Sequence, residues 1–316
     1  MRSSKSLAAL AALPLIAGLA LAGCSDPGTT QPTSGAAADT AATAGKITPF
    51  DVDQLKEVSE IAALVPAEVK ERGELRNGAS TDYAPGEFRG DDGQTPVGYD
   101  VDMVKALAKV MGLKQGTTTH AEFPTIIPAL GTKFDIGASS FTITQERLEQ
   151  VHMVSYVEVG SSFAVKKGNP SNFNPEDPCG ATIGVQNGTY QQEYAQTLSD
   201  KCVADGKAKI EVNPLDLQTD VSTKVVGGQW DATFADSTVI GYTVELAGGQ
   251  LEQIGETIES LPQGVAINKG DEELTKAVQA ALQYLMDEGY LKQILGAYGA
   301  GDAALTKAEI DPQVEG

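Results

Sequence analysis

From Gly73 onward the sequence alternates between short apolar runs with strand periodicity and longer runs with helix periodicity. The stretch ELRNGAST predicts a strand, and DVDMVKALAKVMGL predicts a helix with Val104, Leu107 and Met111 on one face. Two such strand–helix series follow each other, and one further strand and a helix pair remain near the C-terminus. This alternation predicts an α/β fold of mostly parallel sheets flanked by helices.

The same periodicities predict the remaining strands and helices. A short amphipathic helix is predicted in residues 47–72, before the first series. Further strands are predicted at FDIGASSFTI, SSFAVKKGNP, ATIGVQNGTY, KIEVNP, WDATFADS and QGVAINKGD, and further helices at EFPTIIPALG, QERLEQV, QQEYAQTLSD, DLQTDVSTKVVGGQ and EELTKAVQAALQYLMDEGYLKQILGAYG. In open sheets of this type ligands bind beyond the carboxyl ends of the strands, so binding residues are expected in those loops.

Charge and motifs narrow the class of function. The 316 residues carry a formal net charge of −20, which argues against nucleic acid or an anionic membrane surface as the main partner. The sequence contains no phosphate-binding loop, dinucleotide fingerprint, HExxH, CxxC or GxSxG motif, and neither His120 nor His152 has a metal-ligand spacing. The sequence therefore predicts a binding protein without catalytic residues, cofactor or metal.

The first residues have the pattern of an export signal. Arg2 and Lys5 precede an uncharged apolar run that ends in LAGC, and small residues directly before Cys24 resemble a bacterial lipobox. This predicts a lipoprotein signal peptide over 1–23, lipidation of Cys24, and a flexible tether over 24–46 that holds the protein at the extracytoplasmic face of the cell membrane. Ordinary secretion with a free Cys24 is the alternative.

The other two cysteines are Cys179 and Cys202. An exported, oxidising setting favours a disulfide between them, and no histidine pair accompanies them as a zinc site would require. A structural disulfide is predicted.

Three patterns suit binding of a small polar molecule. Tyr83 follows the first strand and Phe123 opens a helix, so the two rings could sandwich a ligand, although each could equally pack in a core. VQNGTYQ has the form of an anion site at a helix N-terminus. Asp236 ends an apolar strand and could hold an ammonium group, or it could cap the helix that follows.

Five sequence blocks resemble the family-3 extracellular solute-binding proteins of polar amino-acid ABC importers. The blocks are GYDVDMVKALAKVMG, IIPALGTKFDIGASSFTITQER, GVQNGTYQQEY, GQWDATFADS and GVAINKGDEELTKAVQAALQYLMDEGYLKQI, and they span about Glu74 to Tyr298 in the expected order. The resemblance implies a two-lobed, type II periplasmic-binding-protein-like fold with a hinge of two crossovers. It places lobe 1 at 73–160 plus 264–302, lobe 2 at 161–263, the crossovers near Val159–Ser161 and Leu261–Gly264, and a C-terminal tail at 303–316.

The resemblance also implies roles for individual residues. A planar guanidinium can bind a carboxylate with two hydrogen bonds, which suits an arginine to the ligand α-carboxylate. The implied contacts are Arg147, Thr142 and the Thr189 amide with the α-carboxylate, Asp236 and Ser140 with the α-ammonium group, and Tyr83 and Phe123 with the ligand side chain.

The family's binders of cationic amino acids carry an aspartate where this chain has Ser80. The other residues expected around the ligand side chain are Ser139, Gln186, Tyr190 and Gln191, which are all uncharged. This composition predicts an uncharged polar ligand such as glutamine or asparagine.

The implied function is that of a monomeric binding component that delivers a polar amino acid to an ABC transporter permease. The sequence leaves two alternative functions open. One is an enzyme on the same scaffold, a dehydratase of prephenate-like acids with Asp236 as general acid. The other is a ligand-sensing module that docks on a membrane receptor.

Overall fold

The computed structural model describes residues 47–314. The predicted signal peptide, the lipidated Cys24 and the tether lie outside the described residues. No helix within 47–314 is both long and apolar enough to cross a membrane.

The described chain alternates strands and helices, as the sequence pattern predicts. The strands are β1 (Glu74–Ala79), β2 (Asp82–Tyr83), β3 (Glu87–Arg89), β4 (Pro96–Val97), β5 (Gln115–His120), β6 (Ile136–Gly137), β7 (Val151–Lys166), β8 (Thr182–Gln186), β9 (Glu211–Leu215), β10 (Ala232–Asp236) and β11 (Leu251–Asn268). The helices are α1 (Ser59–Leu64), α2 (Ala67–Arg72), α3 (Tyr99–Val110), α4 (Phe123–Ile126), α5 (Gln145–Gln150), α6 (Tyr190–Ala204), α7 (Gln218–Val226), α8 (Ser237–Leu246), α9 (Glu272–Asp287) and α10 (Tyr290–Gly296).

Eight strands form one mixed sheet in the order β5-β1-β6-β11-β7-β10-β8-β9. In lobe 1, β1 pairs in parallel with β5 and β6, and in lobe 2, β8 pairs in parallel with β9 and β10. The two middle strands, β7 and β11, are antiparallel to each other and pass from one lobe to the other. They are the two crossovers, and they bring the carboxyl ends of β1, β6, β8 and β10 toward one cleft.

The pairing of β7 with β11 is irregular near the middle of both strands. The register shifts between Ile254 and Ile258, again before Leu261, and once more between Gln263 and Gly264. Such irregularities bend a strand and interrupt its ladder of hydrogen bonds. They fall around the predicted second crossover, while the exact lobe boundaries stay a prediction.

Each lobe has its own apolar core. The core of lobe 1 packs α3, α9 and α10 against β1, β7 and β11, and includes Leu107, Val154 and Leu282. In lobe 2, the rings of Phe163 and Phe234 stack with centroids 4.2 Å apart. The predicted disulfide between Cys179 and Cys202 is present at the edge of the lobe 2 core.

Several predicted elements have different bounds in the structure. FDIGASSFTI forms only the short strand β6, because the Asn77 side chain takes the place of a strand partner. Its Oδ1 accepts from Ala138 N at 2.7 Å and its Nδ2 donates to Ala138 O at 3.1 Å. Pro124 and Pro128 reduce the helix predicted at EFPTIIPALG to one short α-helix and a 3₁₀ turn.

Some strands were not predicted, and other elements are longer or more divided than predicted. The strand β5 and the β2–β4 sheet lie in polar sequence that lacks an apolar alternation. The strands β7 and β11 begin ten or more residues before their predicted starts at Ser161 and Gln263. Pro66 divides the predicted N-terminal helix into α1 and α2. Pairing across the sheet overrides the weak local signal in each of these strands.

Candidate functional site

A small, partly enclosed cavity lies between the two lobes. It is bordered by the loops after β1, β6 and β8 and by the first residues of α5 and α6. Nine of the twelve residues predicted from the sequence to surround the ligand line it. The lining residues are Tyr83, Phe123, Ser140, Thr142, Arg147, Gln186, Thr189, Tyr190 and Gln191.

Arg147 lies in the first turn of α5, where the N-cap residue Thr144 accepts a hydrogen bond from the Arg147 backbone at 3.3 Å. The guanidinium is buried and donates only to carbonyls, to Thr142 O at 2.6 Å and to Gly188 O of lobe 2 at 3.1 Å. No carboxylate within residues 47–314 forms an ion pair with it. Burial lowers the pKa of Arg147, and Glu193 and Asp236 oppose that shift.

The N-terminus of α6 faces the same guanidinium from lobe 2. Thr189 is the N-cap of this helix, and its hydroxyl accepts from Gln192 N at 3.2 Å and donates to Gln186 O at 2.7 Å. The Thr189 backbone N–H has no acceptor among the described residues. An unpaired N–H beside a buried arginine is suited to a carboxylate, because both groups attract negative charge.

Asp236 is buried just behind the cavity wall. Its two carboxylate oxygens accept hydrogen bonds from Gln191 Nε2 at 2.7 Å and from Gln263 Nε2 at 2.6 Å. Burial raises the pKa of the Asp236 carboxyl to about 7, although both amide donors oppose the shift. Asp236 occupies the N-cap position of α8, but its side chain makes no capping hydrogen bond there. The carboxylate therefore binds Gln191 and Gln263 and not the N–H groups of its own helix.

The two predicted aromatic residues line the cavity from lobe 1. Tyr83 Oη accepts a hydrogen bond from Asp236 N at 3.1 Å, so it also joins the lobes. Phe123 stacks on Phe141 with centroids 4.5 Å apart, and the Arg147 guanidinium lies 5.6 and 5.4 Å from the two ring centroids. The rings thus shield the cation from water on one side.

At the other end of the cavity, the Gln186 side chain is fixed by acceptors around its Nε2. These are Ser80 Oγ at 3.0 Å, Asp216 O at 3.0 Å and Asp82 Oδ1 at 3.4 Å. Gln186 Oε1 has no hydrogen bond within the described part of the chain and is the side-chain atom left for a ligand. Sequence reasoning missed Asp82, whose carboxylate also accepts from Gln218 N of lobe 2 at 2.6 Å.

The two serines 139 and 140 have different surroundings. Ser139 does not line the cavity, because its hydroxyl donates to Glu87 at 2.7 Å and accepts from Ser80 N at 3.0 Å. Ser140 lines the cavity and is held from behind by Glu87 and Asp100. Neither carboxyl group was predicted, since Glu87 and Asp100 lie far from Ser140 in sequence.

Other features of the structure do not offer an equivalent site. A larger groove between α7 and α8, of about 350 Å³, has no cationic residue in its lining. Within 47–314, no group of three or more His, Cys, Asp or Glu side chains could hold a metal ion. The cavity at Arg147 combines a buried cation of lobe 1 with Gln191 of lobe 2, which binds the Asp236 carboxylate behind the cavity wall.

A closed cleft between two α/β lobes, with a buried cation and a buried carboxyl group along it, is the arrangement of a solute-binding protein. Residues 75–301 match the family model of bacterial extracellular solute-binding proteins, family 3, and the chain belongs to that family.

Known relatives agree with this assignment. The chain is 34% identical over 259 residues to the arginine-binding protein ArgT of Corynebacterium glutamicum, which covers 81% of this chain and 84% of the relative. A solved ancestral amino-acid-binding protein, described as a precursor of cyclohexadienyl dehydratase, matches with 30% identity and a TM-score of 0.65 over 73% of this chain and 97% of its own. An ancestral arginine-binding protein bound to glutamine matches with 32% identity and a TM-score of 0.64 over 72% and 99%.

The matches confirm the two-lobed, type II periplasmic-binding-protein-like fold that the resemblance implied. They also confirm an extracellular solute-binding protein rather than an enzyme, and the relatives named above are amino-acid-binding proteins.

Proposed function

We propose that this protein binds an amino acid whose side chain ends in N–H donors, with arginine favoured, and delivers it to an ABC importer permease after lobe closure. The observation that carries the proposal is Arg147, a buried guanidinium that bridges the lobes through two carbonyls and has no carboxylate partner within 47–314. A buried charge is costly unless it is paired. The α-carboxylate of a ligand, accepted also by Thr189 N–H, supplies that partner.

The α-ammonium group of the ligand is assigned to Asp236. Two amide donors, Gln191 and Gln263, point at this carboxylate. An ammonium group that approaches Asp236 replaces neutral donors with a full positive charge, and the resulting hydrogen bonds are charge-assisted. A zwitterion held between Arg147 and Asp236 leaves neither buried charge unpaired.

The ligand side chain is assigned to the Gln186 end of the cavity. Gln186 Oε1 accepts an N–H group and repels a carboxylate, which disfavours glutamate and aspartate. The Asp82 carboxylate beside Gln186 adds a negative charge, and burial raises its pKa while Ser80 and Gln218 oppose the shift. The composition-based preference for glutamine or asparagine stays a prediction, and Asp82 favours arginine over them.

The membrane attachment is proposed on the sequence pattern alone. Cleavage before Cys24 and lipidation of its thiol would leave residues 24–46 as a tether between the membrane and the binding domain. Mass spectrometry of the protein from its native membrane tests this: a lipid-modified N-terminal Cys24 supports the anchor, and an unmodified one contradicts it.

Calorimetry tests the ligand assignment. The protein is freed of co-purified ligand by unfolding and refolding with its disulfide intact, and is titrated with arginine, lysine, glutamine, asparagine and glutamate. We expect arginine to bind most tightly, glutamine more weakly and glutamate not at all. Binding of none of these, or tightest binding of glutamate, would contradict the proposal.

A further inference from the structure

Two buried carboxyl groups lie directly behind the cavity. Glu87 on β3 and Asp100 at the start of α3 are both fully buried, and their carboxyl groups lie close enough to bind the same residue, Ser140. No lysine or arginine within 47–314 forms an ion pair with either group. Two adjacent carboxylates without a cation would repel each other in a low-dielectric core, so the pair is stable only when it retains one proton.

The pair holds both polar hydrogens of Ser140. The Ser140 backbone N–H donates to Asp100 Oδ2 at 2.8 Å, and its hydroxyl donates to Glu87 Oε2 at 3.1 Å. Ser140 adopts a left-handed backbone conformation with φ of 49°, which is unfavourable for a residue with a side chain. The hydrogen bonds to Glu87 and Asp100 keep it in this conformation.

The neighbouring backbone also fits this arrangement. A Cβ atom on Gly86 would lie 2.6 Å from Ser140 Oγ, so only glycine at this position leaves room for the hydroxyl beside Glu87. Because the hydroxyl proton points at Glu87, the lone pairs of Ser140 Oγ are left to accept from another group. Ser140 lines the ligand cavity, where a ligand ammonium group is such a donor.

We propose that Glu87 and Asp100 share a single proton and act as positioning residues that hold Ser140 ready to accept a hydrogen bond from the ligand ammonium group. This inference rests on the proposed function, because it assigns a ligand contact to Ser140.

The surroundings of the pair determine which carboxyl group holds the proton. Burial raises the pKa of Glu87 well above its usual value, and the negative charges of Asp100 and Asp236 raise it further. Burial also raises the pKa of Asp100, to about 6, but the hydroxyl of Tyr156 donates to it at 2.6 Å and opposes the shift. Tyr99, the other titratable group here, is neutral because burial raises its pKa. The Tyr156 hydroxyl and the Ser140 N–H both donate to Asp100 and stabilise its charged form, so we place the proton on Glu87.

Three substitutions separate a shared proton from a simple packing role. Glu87→Gln keeps a neutral donor of the same shape, so we expect affinity for arginine or glutamine within about tenfold of the wild type. Glu87→Ala removes the contact to Ser140 and should weaken binding at least ~100-fold, since a hydrogen-bonded buried group is lost. Asp102→Asn is the matched control, because Asp102 is a buried carboxylate on α3 that contacts Lys105 and Tyr298 but not Ser140. It should leave the affinity unchanged.

Infrared spectroscopy of the ligand-saturated protein gives a readout that packing does not change. The wild type at neutral pH should show the carbonyl band of one buried protonated carboxylic acid, and Glu87→Gln should lack it while Asp102→Asn keeps it. If the wild type binds an amino acid but shows no such band, or if Glu87→Gln and Glu87→Ala weaken binding equally, the shared proton is refuted. A wild type that binds no amino acid at all would contradict the proposed function itself.

Discussion

Arg147 and Asp236 lie at the two ends of the site proposed for the ligand backbone, and the protein stabilises them differently. The arginine keeps its charge at any accessible pH and is surrounded by two carbonyls and two aromatic faces. The aspartate is surrounded by amide donors and can take up a proton, because burial raises its pKa to about 7. One end of the site therefore has a fixed charge, and the other has a charge that depends on pH.

Loss of the Arg147 guanidinium should have the largest effect on ligand affinity. Arg147→Ala removes the partner of the ligand carboxylate and leaves that carboxylate buried and unpaired, so affinity should fall ~1000-fold or more. Calorimetry with arginine and glutamine measures this, with circular dichroism as a check on folding. Arg89→Ala, at an exposed arginine outside the cavity, is the control and should bind like the wild type. Comparable affinity of Arg147→Ala and Arg89→Ala would place the site elsewhere.

The Asp236 carboxyl group should make ligand affinity depend on pH. The Asp236 carboxyl has a pKa of about 7 when the cleft is empty, and pairing with an ammonium group lowers it, so binding releases a proton below pH 7. Affinity should then fall by up to about tenfold per pH unit on going below 7. Asp236→Asn should bind more weakly at neutral pH with a flatter profile between pH 5 and 8. Parallel profiles for the two proteins would show that another group titrates.

The same carboxyl group should act on stability with the opposite sign. Its pKa is raised from 3.8 to about 7 on folding, so the neutral form is favoured in the folded protein and its stabilisation is lost as pH rises through 7. The melting temperature of the ligand-free protein should therefore fall as the pH rises from about 4 to about 7, and this contribution should level off above pH 7. Asp100 and Glu87 contribute in the same direction, and the part due to Asp236 is the difference from Asp236→Asn.

A smaller and selective effect is expected at the side-chain end of the cavity. Asp82→Asn removes a negative charge beside Gln186 but keeps an oxygen that can accept from Gln218 N. Affinity for arginine should fall roughly tenfold, because the charge acts over a few ångströms in partly buried surroundings. Affinity for glutamine should change about threefold or less. Equal losses for both ligands would mean that Asp82 acts on lobe closure rather than on ligand choice.

The smallest effect on binding is expected far from both ends, at the disulfide. Replacing Cys179 and Cys202 together by serine opens a loop closed across 23 positions and should cost ~3 kcal/mol of the free energy of unfolding. The ligand residues of lobe 2 lie on other segments, so affinity should stay within about twofold. Denaturant unfolding and calorimetry on the same samples separate the two effects.

The α/β fold was predictable from short stretches of sequence, because alternating periodicities indicate its strands and helices. An arginine one turn after a capping threonine also stands out, because a cation is unfavourable at a helix N-terminus. The sequence left open whether Asp236 caps the helix that follows, and the structure shows that its side chain makes no capping bond. The ligand roles of Arg147 and Asp236 stay predictions.

The remaining parts depend on contacts between distant segments. Asp82 contacts the first turn of α7, which lies 136 positions later in the sequence, and Glu87 contacts Ser140, which lies 53 positions later. The polar hairpin that carries Asp82 and Glu87 has no strand pattern of its own, so its position against the cleft is set by tertiary pairing. Single-sequence reasoning had no means to bring these carboxyl groups to the site.

A structure of the protein crystallised with arginine tests the central claim most directly. We predict that the ligand α-carboxylate lies within hydrogen-bonding distance of the Arg147 guanidinium and of Thr189 N, and that its α-ammonium group contacts Asp236 and Ser140 Oγ. An arginine bound outside this cavity, or bound in it with its carboxylate turned away from Arg147, would contradict the account.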